Sequence, residues 1–167
     1  MEKTDLIIAK CRDNAVIPTY ANDGDAGMDL YSCEDVVIEP GRSALIPTGL
    51  KMAIPYGFEV QIRPRSGISL KTPLRVPNSP GTIDCGYRDE VNVIIYNASV
   101  REEGNADTPF TLSEKGCKHG TYIIHKGDRV AQMVLARVNY ANPVIVDSVD
   151  NIGTNRGGGF GSSGING

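Results

Sequence analysis

The sequence predicts an all-β fold, a distorted jelly-roll barrel of short strands with one short helix and a glycine-rich C-terminal arm. Three observations lead there. Helical periodicity is nearly absent, short β-branched segments alternate apolar and polar residues with period two, and Gly, Pro, Asn and Asp punctuate the intervals between them. About eight such segments suit a jelly roll, and 167 residues is the usual size of one compact domain.

In chain order, strands are expected in "DLIIAKC", "DVVIEP", "SALIPTGLKMAI", "FEVQIRP", "VNVIIYN", "TYIIHK", "RVAQMVLARV" and "PVIVDSV". "FEVQIRP" carries the pattern most clearly: Phe58, Val60 and Ile62 alternate with Glu59, Gln61 and Arg63, giving one face for a core and one for water or ligand. The helix is expected in "SGISLKT", with Ser66 as N-cap and Pro73 as the stop. "NSPGTIDCGYRDEVNVIIYN" reads as strand, turn and strand, a hairpin. The polar, charged stretch 99–120 is expected to leave the barrel as a surface insertion. The barrel is thus placed at 1–154 and the arm, "NRGGGFGSSGING", at 155–167.

Lys and Arg number 17 against 20 Asp and Glu, a net charge of −3, and no basic stripe concentrates enough cations to track phosphates, so duplex nucleic acid is a poor partner. The opening "MEKTDLIIAK" lacks a long apolar region and a small-residue cleavage site, and no apolar run approaches a membrane span. A cytoplasmic protein is expected. Cys11, Cys33, Cys85 and Cys117 form no CxxC pair, and neither His119 nor His125 flanks them at metal-ligand spacing, so free thiols are expected.

Several segments hold residues suited to chemistry. In "RPRSGIS" a cation, Arg65, and a hydroxyl, Ser66, stand at the expected helix start, where free N–H groups favour an anion; an ordinary capped turn with a solvated arginine is the competing reading. Around Gly86, Asp84 and Tyr87 lie three residues apart, and an ionised Asp84 can orient water or accept its proton, whereas a plain exposed turn carboxylate is the alternative. Backbone groups near that turn can read the edge of a planar base as a neighbouring strand would. "DAGMDLYS" is equally a turn or a ligand site. In "GDRVAQMVL" Gln132 shares a strand face with Val130 and Val134, so its amide requires a polar partner, structural or ligand.

"DAGMDLYS", "RPRSGIS", "GTIDCGYRDE", "GDRVAQMVL" and "RGGGFGSSG" resemble, in order and chemistry, the five motifs of the trimeric dUTPase family, spanning residues 25–164. The resemblance implies a jelly-roll homotrimer that cleaves dUTP to dUMP and pyrophosphate with Mg²⁺, its three active sites built at subunit boundaries. It assigns Asp84 the water that attacks the α-phosphorus, and Arg65, Ser66 and Gly67 the phosphate cradle. Gln132 falls near the α-phosphate, and Asp29 reaches the metal at most through water. Tyr87 is similar to the ring beneath the deoxyribose. Uracil selection falls to the backbone of 81–92, including Gly81, Thr82, Ile83 and Asn92, with Asn78 at the rim. In the arm, Arg156 is matched to the γ-phosphate and Phe160 to a stack on the base, with Gly161 and Ser162 beside them, so that the arm is expected to close as a lid.

Two departures stand out. "RDE" occupies a place where glycine commonly follows the arginine, and Arg156 lies four residues before Phe160, one closer than the family spacing. The stretch 99–120 is also longer than the usual link and is a candidate docking site for another protein. The rival readings are a dCTP deaminase of the same superfamily, which needs a suitably placed glutamate, and a jelly-roll regulatory or interaction module.

Overall fold

The computed structural model describes residues 3–105, 107–155 and 157. In chain order the elements are β1 (Ile7–Lys10), β2 (Met28–Tyr31), β3 (Val36–Ile38), β4 (Ser43–Pro47), β5 (Leu50–Ala53), β6 (Phe58–Pro64), α1 (Ser66–Lys71), β7 (Leu74–Arg75), β8 (Gly81–Ile83), β9 (Asn92–Asn97), β10 (Tyr122–Ile124) and β11 (Arg129–Arg137). They form a four-stranded sheet in the order β2-β11-β6-β8, a three-stranded sheet β4-β9-β7, and the two-stranded ribbons β1-β5 and β3-β10. Every pairing between these strands is antiparallel, and an isolated bridge joins Phe110 to Tyr122 in the parallel sense.

Period-two patterning decides which side chains enter the core. Val60 and Ile62 of β6 and Val93 and Ile95 of β9 are buried, and they join Leu30, Ile46, Leu50 and Met133 in one continuous cluster that draws on both larger sheets. Asn97, fully buried, ends β9 with its amide satisfied on every side: Nδ2 donates to Ile38 O at 2.9 Å and Gly120 O at 2.8 Å, while Oδ1 accepts from Ser99 N and Oγ. The two ends of the 99–120 stretch are thereby pinned together.

Four sequence expectations are corrected. "SALIPTGLKMAI" is two strands, broken at Thr48 and Gly49, because Gly49 adopts φ +70° and turns the chain. The N-cap of α1 is Arg65, with extended backbone and no capping side chain, and Ser66 is already the first helical residue. "PVIVDSV" forms no strand within its own chain: all of 139–155 is exposed, and no sheet edge of the described residues takes it in. Finally, β8 and β9 are not a hairpin. β8 pairs with β6 in one sheet and β9 with β4 and β7 in another, so 84–91 crosses between sheets. Periodicity identifies a strand but not its partner.

Candidate functional site

The separation of β8 from β9 opens a cleft of about 310 Å³ between the two sheets. Among the described residues β8 is the edge strand of its sheet, and β7 covers β9 only at Tyr96 and Asn97, so the backbone of 92–95 has no strand partner there on that side. Unpaired N–H and C=O groups are strong donors and acceptors that favour a planar, hydrogen-bonding occupant. Asn78, Gly81, Thr82 and Ile83 line one side, and Asp84, Tyr87 and Asn92 close the end, so the structure gathers these sequence-predicted residues in one place. Leu45, Ile62 and Ile94 supply an apolar floor that the sequence reading missed. A Cβ on Gly81 would lie 3.0 Å from Asn78 Nδ2 and 3.4 Å from Ile62 Cβ, so glycine leaves the amide of Asn78 its place.

The turn carrying Asp84 is braced from beneath. Tyr87 N–H donates to Asp84 O at 3.1 Å, and both Tyr87 Oη and Asn92 Nδ2 donate to Glu90 O at 3.0 Å. Arg88 donates to the carbonyls of Cys85 and Tyr87. Glu90 then anchors the whole turn, its carboxylate accepting from Gly49 N–H at 2.8 Å and from the Arg12 guanidinium at 2.8 and 3.1 Å. No sequence signal marks Glu90, since Arg12 stands 78 positions away. The Asp84 carboxylate itself is exposed and, among the described residues, accepts no hydrogen bond, so its oxygens are open to water. Close by, Tyr140 stacks on Tyr56 with ring centres 6.1 Å apart. Desolvation pushes the Tyr140 phenol up, with smaller contributions from the neighbouring Tyr56, Cys85 and Asp84.

A second group of predicted residues assembles around Asp29. Its buried carboxylate accepts from Arg65 Nε at 2.9 Å, from Arg129 at 3.3 Å and from Gln132 Nε2 at 3.4 Å. Register explains the convergence: Gln132 lies opposite Asp29 on one side of β11 and opposite Arg63 on the other. A bulge between Arg129 and Ala131 turns Val130 into the core, leaving Gln132 and Val134 half-exposed against Gly27, so the expectation that Gln132 shares a face with Val130 is corrected. Ser66 and Gly67 are exposed at the start of α1, and a Cβ on Gly67 would meet nothing within 4 Å. Arg129 was not singled out in the sequence, although a cation after the Gly127–Asp128 turn was a usable signal.

The two groups do not meet within one chain. Ile83 pairs with Val60, which sets Asp84 level with Glu59, whereas Arg65 follows six residues farther along β6. At about 3.3 Å per residue the separation is about 20 Å. Arg156, Phe160, Gly161 and Ser162 lie outside the described residues. Among the described residues no three His, Cys, Asp or Glu side chains converge to cage a cation, and the oxygens of Asp29 face two guanidiniums.

A family model described as dUTPase matches residues 13–102. The deoxyuridine 5'-triphosphate nucleotidohydrolase of Solibacter usitatus is 43% identical over 162 residues, covering 94% of each chain. That of a Picosynechococcus species is 45% identical over 160 residues, covering 95% of this chain and 98% of its own. Among solved structures, the dUTPase of Staphylococcus bacteriophage 80alpha with dUpNHpp aligns with a TM-score of 0.81 at 31% identity, over 98% of this chain and all of the other. A variant dUTPase from phage phi11 of S. aureus, which coordinates a structural Mg(II) ion, aligns with a TM-score of 0.78 at 30% identity over 88% of this chain and 99% of the other.

Proposed function

The chain belongs to the dUTPase family, and on that premise we propose that it hydrolyses dUTP to dUMP and pyrophosphate at a site composed from several copies of itself. The observation that carries this reading is the cleft between β8 and β9, where an exposed carboxylate, a ring and open backbone edges surround a space for one planar base. Uracil pairs with the backbone of 81–92, with Asn78 at the rim, and the exclusion of a 5-methyl group is steric, the backbone leaving no space for it. Tyr87, held by Glu90 O, lies under the deoxyribose; a ring in contact with C2' rejects an added hydroxyl by steric conflict, since failing merely to satisfy it discriminates only about a hundredfold.

Asp84 orients a water molecule at the α-phosphorus and takes its proton as the new P–O bond forms. The opposite bond to the pyrophosphate oxygen breaks in line. The leaving group develops charge that Arg65, Ser66 Oγ and the Gly67 amide neutralise, with Gln132 near the α-phosphate and Asp29 holding the arginine in place. When bound, Mg²⁺ would supply further charge neutralisation on the triphosphate, with Asp29, already paired with Arg65 and Arg129, reaching it at most through water.

Because about 20 Å separates Asp84 from Arg65, the base cleft of one copy meets the phosphate residues of another, which calls for the homotrimer. The arm from 155 onward, bearing Arg156, Phe160, Gly161 and Ser162, then closes over a neighbouring site. Its glycines leave it costly to order until a nucleotide compensates, through charge-assisted bonds to Arg156 and stacking on Phe160.

The deaminase alternative is weaker here. A glutamate is needed at the ring, and Glu90, which follows Asp84 and Tyr87 in the same turn, has both oxygens engaged by Gly49 and Arg12. Pyrophosphate release measured side by side from dUTP, dCTP, dTTP and UTP in magnesium buffer tests the reading. Turnover of dUTP alone is expected; dUTP left intact, or ammonia released from dCTP, overturns it.

A further inference from the structure

The stretch 99–120 was expected to stand away from the chemistry as a surface insertion, yet it folds back over the phosphate residues. Phe110 N–H donates to Thr121 O and Ile123 N–H to Phe110 O, both at 2.8 Å, and the Phe110 ring packs on Tyr122 with centres 5.7 Å apart. This docking against β10, with the Asn97 pin at its base, delivers Leu112 and Ser113 to a cavity of about 240 Å³ beside α1. Arg65, Lys71 and Arg129 also line it.

The charges in this cavity are unbalanced towards a ligand. Asp29, behind Arg65 and Arg129, is shared by both guanidiniums. Asp128, the carboxylate in the wall, is turned to the His125 N–H at 2.8 Å. Lys71 has no carboxylate within ion-pair distance among the described residues. Ser113 Oγ lies 2.8 Å from Thr111 Oγ1 and keeps further hydrogen-bonding capacity, and Leu112 lines the cavity beside it. Lys71 stands five residues after Ser66, about 7.5 Å farther along the helix axis, so a polyphosphate seated at Arg65 and Ser66 has its outer groups in reach of the ammonium.

We propose that Lys71 and Ser113 form a subsite for the outer phosphates of the nucleotide and for the pyrophosphate released from it, which makes the 99–120 stretch a working wall of the active site. The inference rests on the phosphate role given above to Arg65 and Ser66. The full-length protein and its Lys71→Met, Lys71→Arg and Ser113→Ala variants are titrated calorimetrically with inorganic pyrophosphate and with dUMP, and KM and kcat for dUTP are measured alongside.

Loss of one charge-assisted contact corresponds to about a tenfold change. Lys71→Met is therefore expected to weaken pyrophosphate about tenfold and to raise KM by a similar factor, with kcat little changed and dUMP binding at the parent value. Ser113→Ala moves the same quantities less, and Lys71→Arg restores most of the loss. Parent-like pyrophosphate affinity in both Lys71→Met and Ser113→Ala overturns the proposal. So does an equal loss for dUMP and pyrophosphate together with a lowered melting temperature, the result for a lysine that only serves the C-terminus of α1. The calorimetric arm needs no turnover, so failure to hydrolyse dUTP would count against the function above while leaving the subsite decided by pyrophosphate.

Discussion

Asp29 and Asp84 are both carboxylates close to the proposed chemistry, and their surroundings give them opposite work. Asp29 is buried and fully engaged, so its charge is consumed in fixing Arg65 and Arg129. Asp29→Asn keeps the volume but removes a charge-assisted acceptor, and a stability loss of about 1–3 kcal/mol in urea unfolding is expected, with KM for dUTP raised. Asp84 is open to solvent, so Asp84→Asn should leave the melting curve and nucleotide binding nearly untouched while turnover falls roughly 10²- to 10⁴-fold; a near-normal rate removes it from the mechanism. Asp84, Tyr87 and Arg65 were legible because turn chemistry and motif order are local. Glu90 and Arg129 were not, because their importance comes from Arg12, Gly49 and Asp29, which only the folded chain brings beside them.

Elements show the same division. The Gly49 turn between β4 and β5 sits where a Cβ would come within 2.7 Å of the Ala15 Cβ, at φ +70°. Gly49→Ala therefore meets both strain and a clash with Ala15, and should cost more than about 1 kcal/mol. Gly41→Ala, at φ +71° with nothing within 4 Å, is strained but unobstructed and should melt higher than Gly49→Ala.

Tyr122 of β10, whose hydroxyl donates to Lys118 O at 2.9 Å, has its phenol pushed up to about 12, chiefly by desolvation. Because the folded value lies above the unfolded one, its contribution is complete below pH about 10 and is lost as pH rises towards 12. A Tyr122→Phe variant should lose that alkaline step in melting temperature, and an unchanged profile would assign the step elsewhere. Most of the strands were readable from period two, with "PVIVDSV" the false one and the two-residue β7 missed, but their partners were not. Hence the supposed β8-β9 hairpin turned out to be two strands of different sheets with a cleft between them.

At the scale of the molecule, residues 139–155 remain wholly exposed, with Val144 at 76% and Ile145 at 98%. An apolar run of this kind marks an interaction surface, and together with the separation of Asp84 from Arg65 along β6 it fits assembly of several copies. A Val144→Asp, Val146→Asp double variant should keep the barrel folded by circular dichroism while sedimentation shows loss of the trimer; an unchanged assembly would free the 139–155 segment from that role. Truncation before residue 155 should leave a folded trimer with poor turnover, and unimpaired catalysis would eliminate the lid.

The sequence by itself determined the β class, the punctuation between strands and the order of five chemically distinctive motifs, because these are properties of neighbours along the chain. Only the tertiary structure decided that a cleft opens where β8 and β9 part into two sheets, that Asp84 and Arg65 stand at opposite ends of β6, and that the 99–120 stretch returns to Arg65 and Arg129. Those outcomes depend on strand pairing and on contacts between distant residues, and the period-two signal that makes a strand recognisable is the same whichever strand it joins.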